Sequence, residues 1–397
     1  MKSNKLAEKD RMYVGRDEPA LPLEIVKSDA SFLYGPAGEK YIDFIMGWCV
    51  GNIGWGQKEV LKKIKNFKGP EYVDPNYLYK QWADLAELLV KITPGNLTKS
   101  FRATGGTEAV EIALQAAMAH TGRHKFLSIE GSYHGHSIGA MSVGSSSFRS
   151  YYKNLLPDCY KINLPLDEKA AREAEKILNR GDIAAFIAEP IICNLGVAVP
   201  DKEFFDIVFS ACKRNGTVFI ADEVATGFGR TGKMFASEHY NLNPDIMCLA
   251  KGITGGYGGL GATIMTDEVA KAMEFDFSYY STFGWHPLNV EAAIANANFL
   301  LKNEEKIFSN IEKTSRYFRE RLAAMKFKYS ADVRVKGLAI GIEFKNGGDY
   351  GLDIARKCLA KNLLFSALEP NIITFFPALT IDSKTAKTGL DIFEKCI

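Results

Sequence analysis

Five short stretches of this chain set a reactive residue, or a pair of glycines, where chemistry can use it. The apolar run Ile246-Met247-Cys248-Leu249-Ala250 ends in Lys251, residues 217–221 end in Asp222 and Glu223, and residues 183–188 end in Glu189-Pro190. Gly105-Gly106-Thr107 opens a helix-like segment over 107–119, and Tyr133 follows Gly131 behind the apolar run 125–129. A lysine that closes a wholly apolar strand is partly desolvated, which favours the neutral amine, a nucleophile toward an aldehyde. Alone, Lys251 reads rather as a lysine that snorkels to the surface from a strand end.

The combination reverses that reading. Asp222 suits a protonated ring nitrogen, and the amides of Gly105-Gly106-Thr107 at a helix N-terminus suit an anion. The ring of Tyr133 suits the face of an aromatic plane. A lysine for an aldehyde, an acid for a pyridine nitrogen, a cup for a phosphate and a flat partner for the ring are what pyridoxal 5'-phosphate asks of a protein. Each of the three acids and the lysine follows a strand-like run, where ligands bind in open parallel sheets.

The elements that must position these residues are legible as a pattern. Runs over 125–129, 183–188, 217–221 and 246–250 are short, continuously apolar and bounded by polar residues or glycine, as strands buried on both faces are. Amphipathic segments over 168–179 and 202–214 lie between them as crossover helices, so the class is α/β. After Pro287 the texture changes to long helical patterns over 288–302 and 304–325. Alternating strand material over 333–344, a helix over 350–361, a hairpin over 363–379 and a last helix follow. This predicts a large domain over 44–287 with a mostly parallel sheet. A smaller α+β domain is built from 288–397 and the strand-like residues 1–43.

Composition sets bounds on function. The 397 residues suggest two or three domains, 47% are hydrophobic and 24% charged, and the net charge of +2 gives no electrostatic case for nucleic acid or an anionic membrane. The basic stretch Lys62-Lys63-Ile64-Lys65-Asn66-Phe67-Lys68 alternates with apolar residues and reads as the solvated face of a helix. No run approaches the ~20 apolar residues of a membrane span. The start has no apolar core of a secretory signal, and seven cysteines without paired spacing suit reduced thiols in a cytoplasmic protein. No metal site is expected.

The stretch Phe219-Ile220-Ala221-Asp222-Glu223-Val224-Ala225-Thr226-Gly227-Phe228-Gly229-Arg230-Thr231-Gly232-Lys233, with Pro244-Asp245-Ile246 and Ala250-Lys251-Gly252, resembles the class III aminotransferases. The resemblance runs from Tyr41-Ile42-Asp43-Phe44 through Gly106-Thr107-Glu108-Ala109, Tyr133-His134-Gly135 and Ser281-Thr282-Phe283 to Pro377-Ala378-Leu379-Thr380. It implies the aspartate-aminotransferase-like fold (fold type I of pyridoxal-phosphate enzymes) and a cofactor held by Lys251 as a Schiff base. It further implies Asp222 on the ring nitrogen, Gly105, Gly106 and Thr107 at the phosphate, Tyr133 on one ring face and Val224 on the other. Thr282 resembles the residue that reaches the phosphate of a neighbouring subunit, which implies a homodimer with shared sites. Glu189 matches a family acid at the substrate end. The chain departs from the family's Asn-Ser-Gly-Thr cup, with Thr104 and Gly105 in the first two places.

Members acting on α- or γ-amino acids place an arginine after Tyr/Phe-His-Gly and another before Pro-Pro-Leu. Here those places hold His136 and Thr374, neither of which can clamp a carboxylate bidentately. Gly47-Trp48-Cys49-Val50 resembles a segment of omega-transaminases in which the tryptophan walls the substrate pocket. The expectation is therefore a small-molecule amine donor, a carbonyl acceptor, a ping-pong mechanism, and a substrate pocket that includes Trp48 and His136. Arg102 and Arg230 remain as holders of a keto acid. Rival readings are an aminomutase like that of glutamate-1-semialdehyde, a racemase or decarboxylase on the same scaffold, and a silent cofactor-binding protein.

Overall fold

The computed structural model describes residues 2–17, 20–274 and 279–397. It opens with a helix, Lys2–Tyr13, where strand-like structure was expected. Lys, Leu, Ala, Glu, Arg and Met dominate that segment, all strong helix formers, and it has no β-branched residue. Strands β1 (Lys27–Asp29), β2 (Phe32–Tyr34) and β3 (Lys40–Asp43) follow as an antiparallel meander.

The central sheet is made from β4 (Leu97–Ala103), β5 (Lys125–Ile129), β6 (Cys159–Ile162), β7 (Ile183–Ala188), β8 (Val218–Asp222), β9 (Ile246–Leu249) and β10 (Gly261–Thr266). Their order across the sheet is β4-β10-β9-β8-β7-β5-β6, and β5 to β9 pair in parallel while β10 runs antiparallel to both neighbours. The apolar runs read from sequence are β5, β7, β8 and β9, with β8 one residue later than expected, so that Asp222 closes the strand. β4, β6 and β10 were not read as strands, because Leu97-Thr98-Lys99-Ser100-Phe101-Arg102-Ala103 is mixed in polarity, Cys159-Tyr160-Lys161-Ile162 is short with a lysine inside it, and β10 is flanked by glycines.

Alternate residues of the middle strands enter opposite cores, as the period of two requires. Ile187 and Ile220 pack with Ala109, Ile112 and Ala113 of the helix Gly106–Thr121 on one face. Phe186 and Phe219 pack with Phe204, Phe205 and Val208 of the helix Lys202–Asn215 on the other, beside the helix Glu168–Leu178. Both faces are covered, so a strand of this sheet has no polar side to show in its sequence.

After the helices Pro287–Lys302 and Glu304–Ala324 the chain forms β11 (Ala331–Lys336), β12 (Ala339–Phe344), β13 (Leu363–Leu364), β14 (Ser366–Glu369) and β15 (Ile372–Phe375). The expected strand 333–344 is a hairpin that turns at Gly337, whose φ of +57° suits glycine. The expected hairpin 363–379 is shorter: β14 and β15 pair with each other, and β15 continues the sheet onto β12. β13 leaves that hairpin and pairs in parallel with β3, Leu363 opposite Ile42 and Leu364 opposite Asp43, which ties the start of the chain to its end. Among the described residues no helix is long and apolar enough to cross a membrane.

Candidate active site

A cavity of about 710 Å³ lies at the carboxyl ends of β4, β5, β7, β8 and β9. The turns after these strands bring Gly105, Gly106, Thr107, Tyr133, Glu189, Asp222, Val224 and Lys251 to its wall, together with Trp48 from the segment after β3. Residues read from separate stretches of sequence thus share one space because parallel strands end on the same side of a sheet.

Lys251 follows β9 with φ of +45°, an uncommon conformation for a residue with a side chain, and its Nζ lies 5.8 Å from the centroid of the Trp48 ring. Trp48 itself sits in a run, Met46 to Cys49, with positive φ at all four residues, and its ring packs against Phe376 at 4.8 Å. Backbone held in the left-handed region costs of order 1–3 kcal/mol per residue and persists where the surroundings fix it.

Asp222 is buried, and each of its oxygens accepts one hydrogen bond. Its Oδ2 accepts from His134 Nδ1 at 2.7 Å and its Oδ1 from the Val224 amide at 3.0 Å. The Ser132 hydroxyl donates to the Ile129 carbonyl at 2.7 Å, and its oxygen lies 3.1 Å from His134 Nε2. Held at both ring nitrogens, His134 keeps Asp222 in a fixed orientation. His134 was missed as a site residue. The Tyr-His-Gly motif pointed to its neighbourhood, but its partner lies on another strand.

Glu189 is 4% exposed; its Oε2 accepts from the Cys193 amide at 3.2 Å, and its Oε1 has no partner. Burial, and then the negative charge of Asp222, raise its carboxyl well above the usual carboxylate range, with Lys251 pulling the other way.

The helix Gly106–Thr121 points its first amides at the cavity, and these have no intrahelical acceptor. A Cβ on Gly106 would fall 2.9 Å from Val224 Cγ1, and one on Gly135 would fall 2.6 Å from Thr107 Oγ1, so this corner closes only around glycine. The Thr104 hydroxyl is bound to Glu108 at 2.5 Å, so the donors left in the cup are backbone amides and Thr107. The anion-ready turn, the buried acid and the lysine, with Tyr133 and Val224 on the same wall, suit the donor set that pyridoxal phosphate needs.

Several expected residues lie elsewhere. His136 does not line the cavity; its ring packs edge-on against Phe148 and Tyr152. Thr282 borders a second, shallower depression on the other side of the Gly105-Gly106-Thr107 turn, with Tyr280 and Phe283. Arg230 is completely buried and donates to the carbonyls of Leu338 and Pro377 and to Asn52 Oδ1, a pin between segments. Arg102 stacks on Trp82 at 3.9 Å and is not among the residues that line the cavity. No arginine lines the cavity among the described residues, whereas Glu369, unread from sequence, does.

Residues 13–397 match the family described as Aminotransferase class-III. The chain is 34% identical to adenosylmethionine-8-amino-7-oxononanoate aminotransferase of Staphylococcus aureus, over 98% of this chain and 94% of that protein. It is 33% identical to putrescine aminotransferase of Pectobacterium atrosepticum, over 93% of this chain and 81% of that protein. Among solved structures, the adenosylmethionine-8-amino-7-oxononanoate aminotransferase of Methanocaldococcus jannaschii matches with a TM-score of 0.91 at 32% identity, over 99% of this chain and 98% of that one.

Proposed function

The chain belongs to the class-III aminotransferases, enzymes that use pyridoxal phosphate, and from that premise we propose that its amino donor is an amine or an ω-amino compound. The acceptor in this reading is a keto acid or aldehyde, served in a second half-reaction after the first product has left. The observation that carries the proposal is a cavity that holds Lys251, Asp222 and Glu189 and, among the described residues, has no arginine on its wall. Without a guanidinium there is no bidentate clamp for the carboxylate of an α-amino acid. Relatives named for putrescine and for 8-amino-7-oxononanoate support a donor or acceptor of this broad kind.

Pyridoxal phosphate supplies an aldehyde that exchanges nitrogen with amines and a ring that takes up the electrons of a broken C–H bond. The residues that would hold it are Lys251 at the aldehyde, Asp222 at the ring nitrogen, Gly105, Gly106 and Thr107 at the phosphate, and Tyr133 and Val224 on the two faces. Lys251 Nζ then acts as the general base that removes the proton from the carbon bearing the donor nitrogen, and in the second half-reaction returns one to the acceptor carbon. Asp222, oriented by His134, would be the acid that faces the ring nitrogen. Trp48 and Phe376 exclude water from the apolar wall.

The same reading takes 44–287 as the cofactor-binding domain and 1–43 with 288–397 as the second domain. It also makes the enzyme a homodimer. Leu78, Tyr77, Tyr280 and Phe283 are exposed, and the last two border the depression that abuts the cofactor cup, where Thr282 of a second copy would reach.

The test is a single-turnover screen of the purified holoenzyme against terminal amines, ω-amino acids and α-amino acids, each added alone. Terminal amines should discharge the yellow absorbance with no second substrate, and Lys251→Ala should lack both that absorbance and turnover. Discharge by α-amino acids alone would overturn the donor class. Net conversion of one substrate without an acceptor would point instead to an aminomutase.

A further inference from the structure

Two buried thiols meet at the cavity wall to which Trp48 and Leu195 belong. Cys49 closes the run of positive φ at Met46–Cys49, and Cys193 opens the short turn Cys193–Leu195. Both are free and buried, and both belong to one packed cluster with Phe376 and Ala339, against which Trp48 and Leu195 rest. Trp48, Cys193 and Leu195 all line the cavity. The Cys193 thiol donates a hydrogen bond to Cys49 Sγ, so sulfurs from distant parts of the chain touch where two walls of the site join.

Cys49 also meets a charge that no carboxylate answers. Arg230 is completely buried, and its donors go to the Leu338 and Pro377 carbonyls and to Asn52 Oδ1, all uncharged, while its Nε has no partner. A buried guanidinium calls for an anion beside it, and the acidic side chain in reach is Cys49. Burial pushes the Cys49 thiol up, but the Cys193 hydrogen bond and the charges of Arg230 and Lys251 outweigh it and bring the thiol below its usual range. The hydrogen bond to Cys49, and then burial, raise Cys193 well above that range. One sulfur is set as a nucleophile, and the other waits beside it as a thiol.

We propose that Cys49 and Cys193 form an oxidant-sensitive pair, whose closure to a disulfide slows the enzyme. With hydrogen peroxide as the oxidant, the Cys49 thiolate attacks one oxygen, the O–O bond breaks and hydroxide leaves, which makes a sulfenic acid. Cys193 Sγ then attacks that sulfur, the S–O bond breaks, and the departing hydroxide takes the Cys193 proton as water. The two thiols lose two electrons and two protons in all, and the peroxide becomes two waters. The sulfurs close from hydrogen-bond contact to a bond of about 2.05 Å, which draws the Trp48 segment and the turn together. Trp48 then shifts against Lys251, whose Nζ lies 5.8 Å from its ring, and the Cys193 amide shifts under Glu189 Oε2. The bridge also takes the anion from Arg230, which disfavours the oxidised form and lets a thiol reductant reopen it.

The experiment treats the purified holoenzyme with hydrogen peroxide and reads intact mass without reductant, the peptides after digestion, and the single-turnover rate with an amine that discharges the untreated enzyme. The treated wild type should weigh two hydrogens less, yield a bridged Cys49–Cys193 peptide and turn over about tenfold more slowly, with all three changes reversed by dithiothreitol. Cys193→Ser should stop at a Cys49 sulfenic acid that dimedone labels, and Cys49→Ala should keep its untreated rate through the same exposure. Cys159→Ser, which removes the least buried of the seven thiols, should respond as the wild type does. Free thiols at both positions after treatment, or a bridge that leaves turnover unchanged, would overturn the proposal. So would a loss of rate that persists in Cys49→Ala or that dithiothreitol fails to reverse. Mass and labelling are read without substrate, so this outcome stands apart from the class of amine donor.

Discussion

His134 and Lys161 show how buried donors set the behaviour of single residues. Removing the His134 ring by His134→Ala leaves Asp222 Oδ2 without its partner in a buried position, and the loss of such a bond costs about 1–3 kcal/mol. A urea midpoint lowered to that extent, with a slower single turnover, is expected; an unchanged midpoint would show that the bond carries no stability. Lys161 donates to Ser128 Oγ at 2.8 Å and to the Ser142 carbonyl at 3.1 Å, and burial depresses its pKa to about 8. The unfolded chain, with an ordinary lysine, binds more protons between pH 8 and about 10.4, so this residue's contribution to stability rises with pH across that window and is lost as pH falls through 8. Lys161→Met should abolish that slope, an effect on the order of 3 kcal/mol read as the wild-type-minus-variant difference in urea stability at pH 7 and pH 10. Lys251, Asp222 and Glu189 were legible because a polar residue behind an apolar run announces itself locally. His134 and Glu369 were not, because what each one faces depends on strands far away in the chain.

At the level of elements, the turn Cys193–Leu195 is pressed from outside by β12. A Cβ on Gly341 would fall 1.9 Å from the Gly196 carbonyl oxygen, which is backbone and cannot swing aside. Gly341→Ala should therefore destabilise the fold by about 1–3 kcal/mol and, by pushing the turn, raise KM for the amine donor. A variant with wild-type midpoint and KM would show that β12 does not position the turn. The parallel strands were readable because two covered faces demand unbroken apolar runs. β4 was not, since it alternates buried and exposed residues irregularly, and the Lys2–Tyr13 helix escaped because it buries no face and so leaves no apolar period. Propensity was its only signal.

For the molecule as a whole, the proposed homodimer would cover exposed apolar residues such as Tyr280 and Phe283. Sedimentation should give twice the 43.9 kDa chain mass, and Leu78→Asp, at a fully exposed apolar position, should shift the protein toward monomer with weakened cofactor retention. A wild-type monomer that keeps its cofactor and turns over would remove the shared-site reading. The change of texture near Pro287 was visible in the sequence, but the route by which the ends of the chain meet was not, because β13 is two residues long and carries no period. That pairing has a consequence for biosynthesis. Until the ribosome has released Leu364, Ile42 and Asp43 have no neighbour on one side, and β3 is an open edge able to hydrogen-bond to any passing strand. Nascent chains that have not yet released Leu364 would thus be the species most prone to aggregate, and chaperone cover would matter most up to that point.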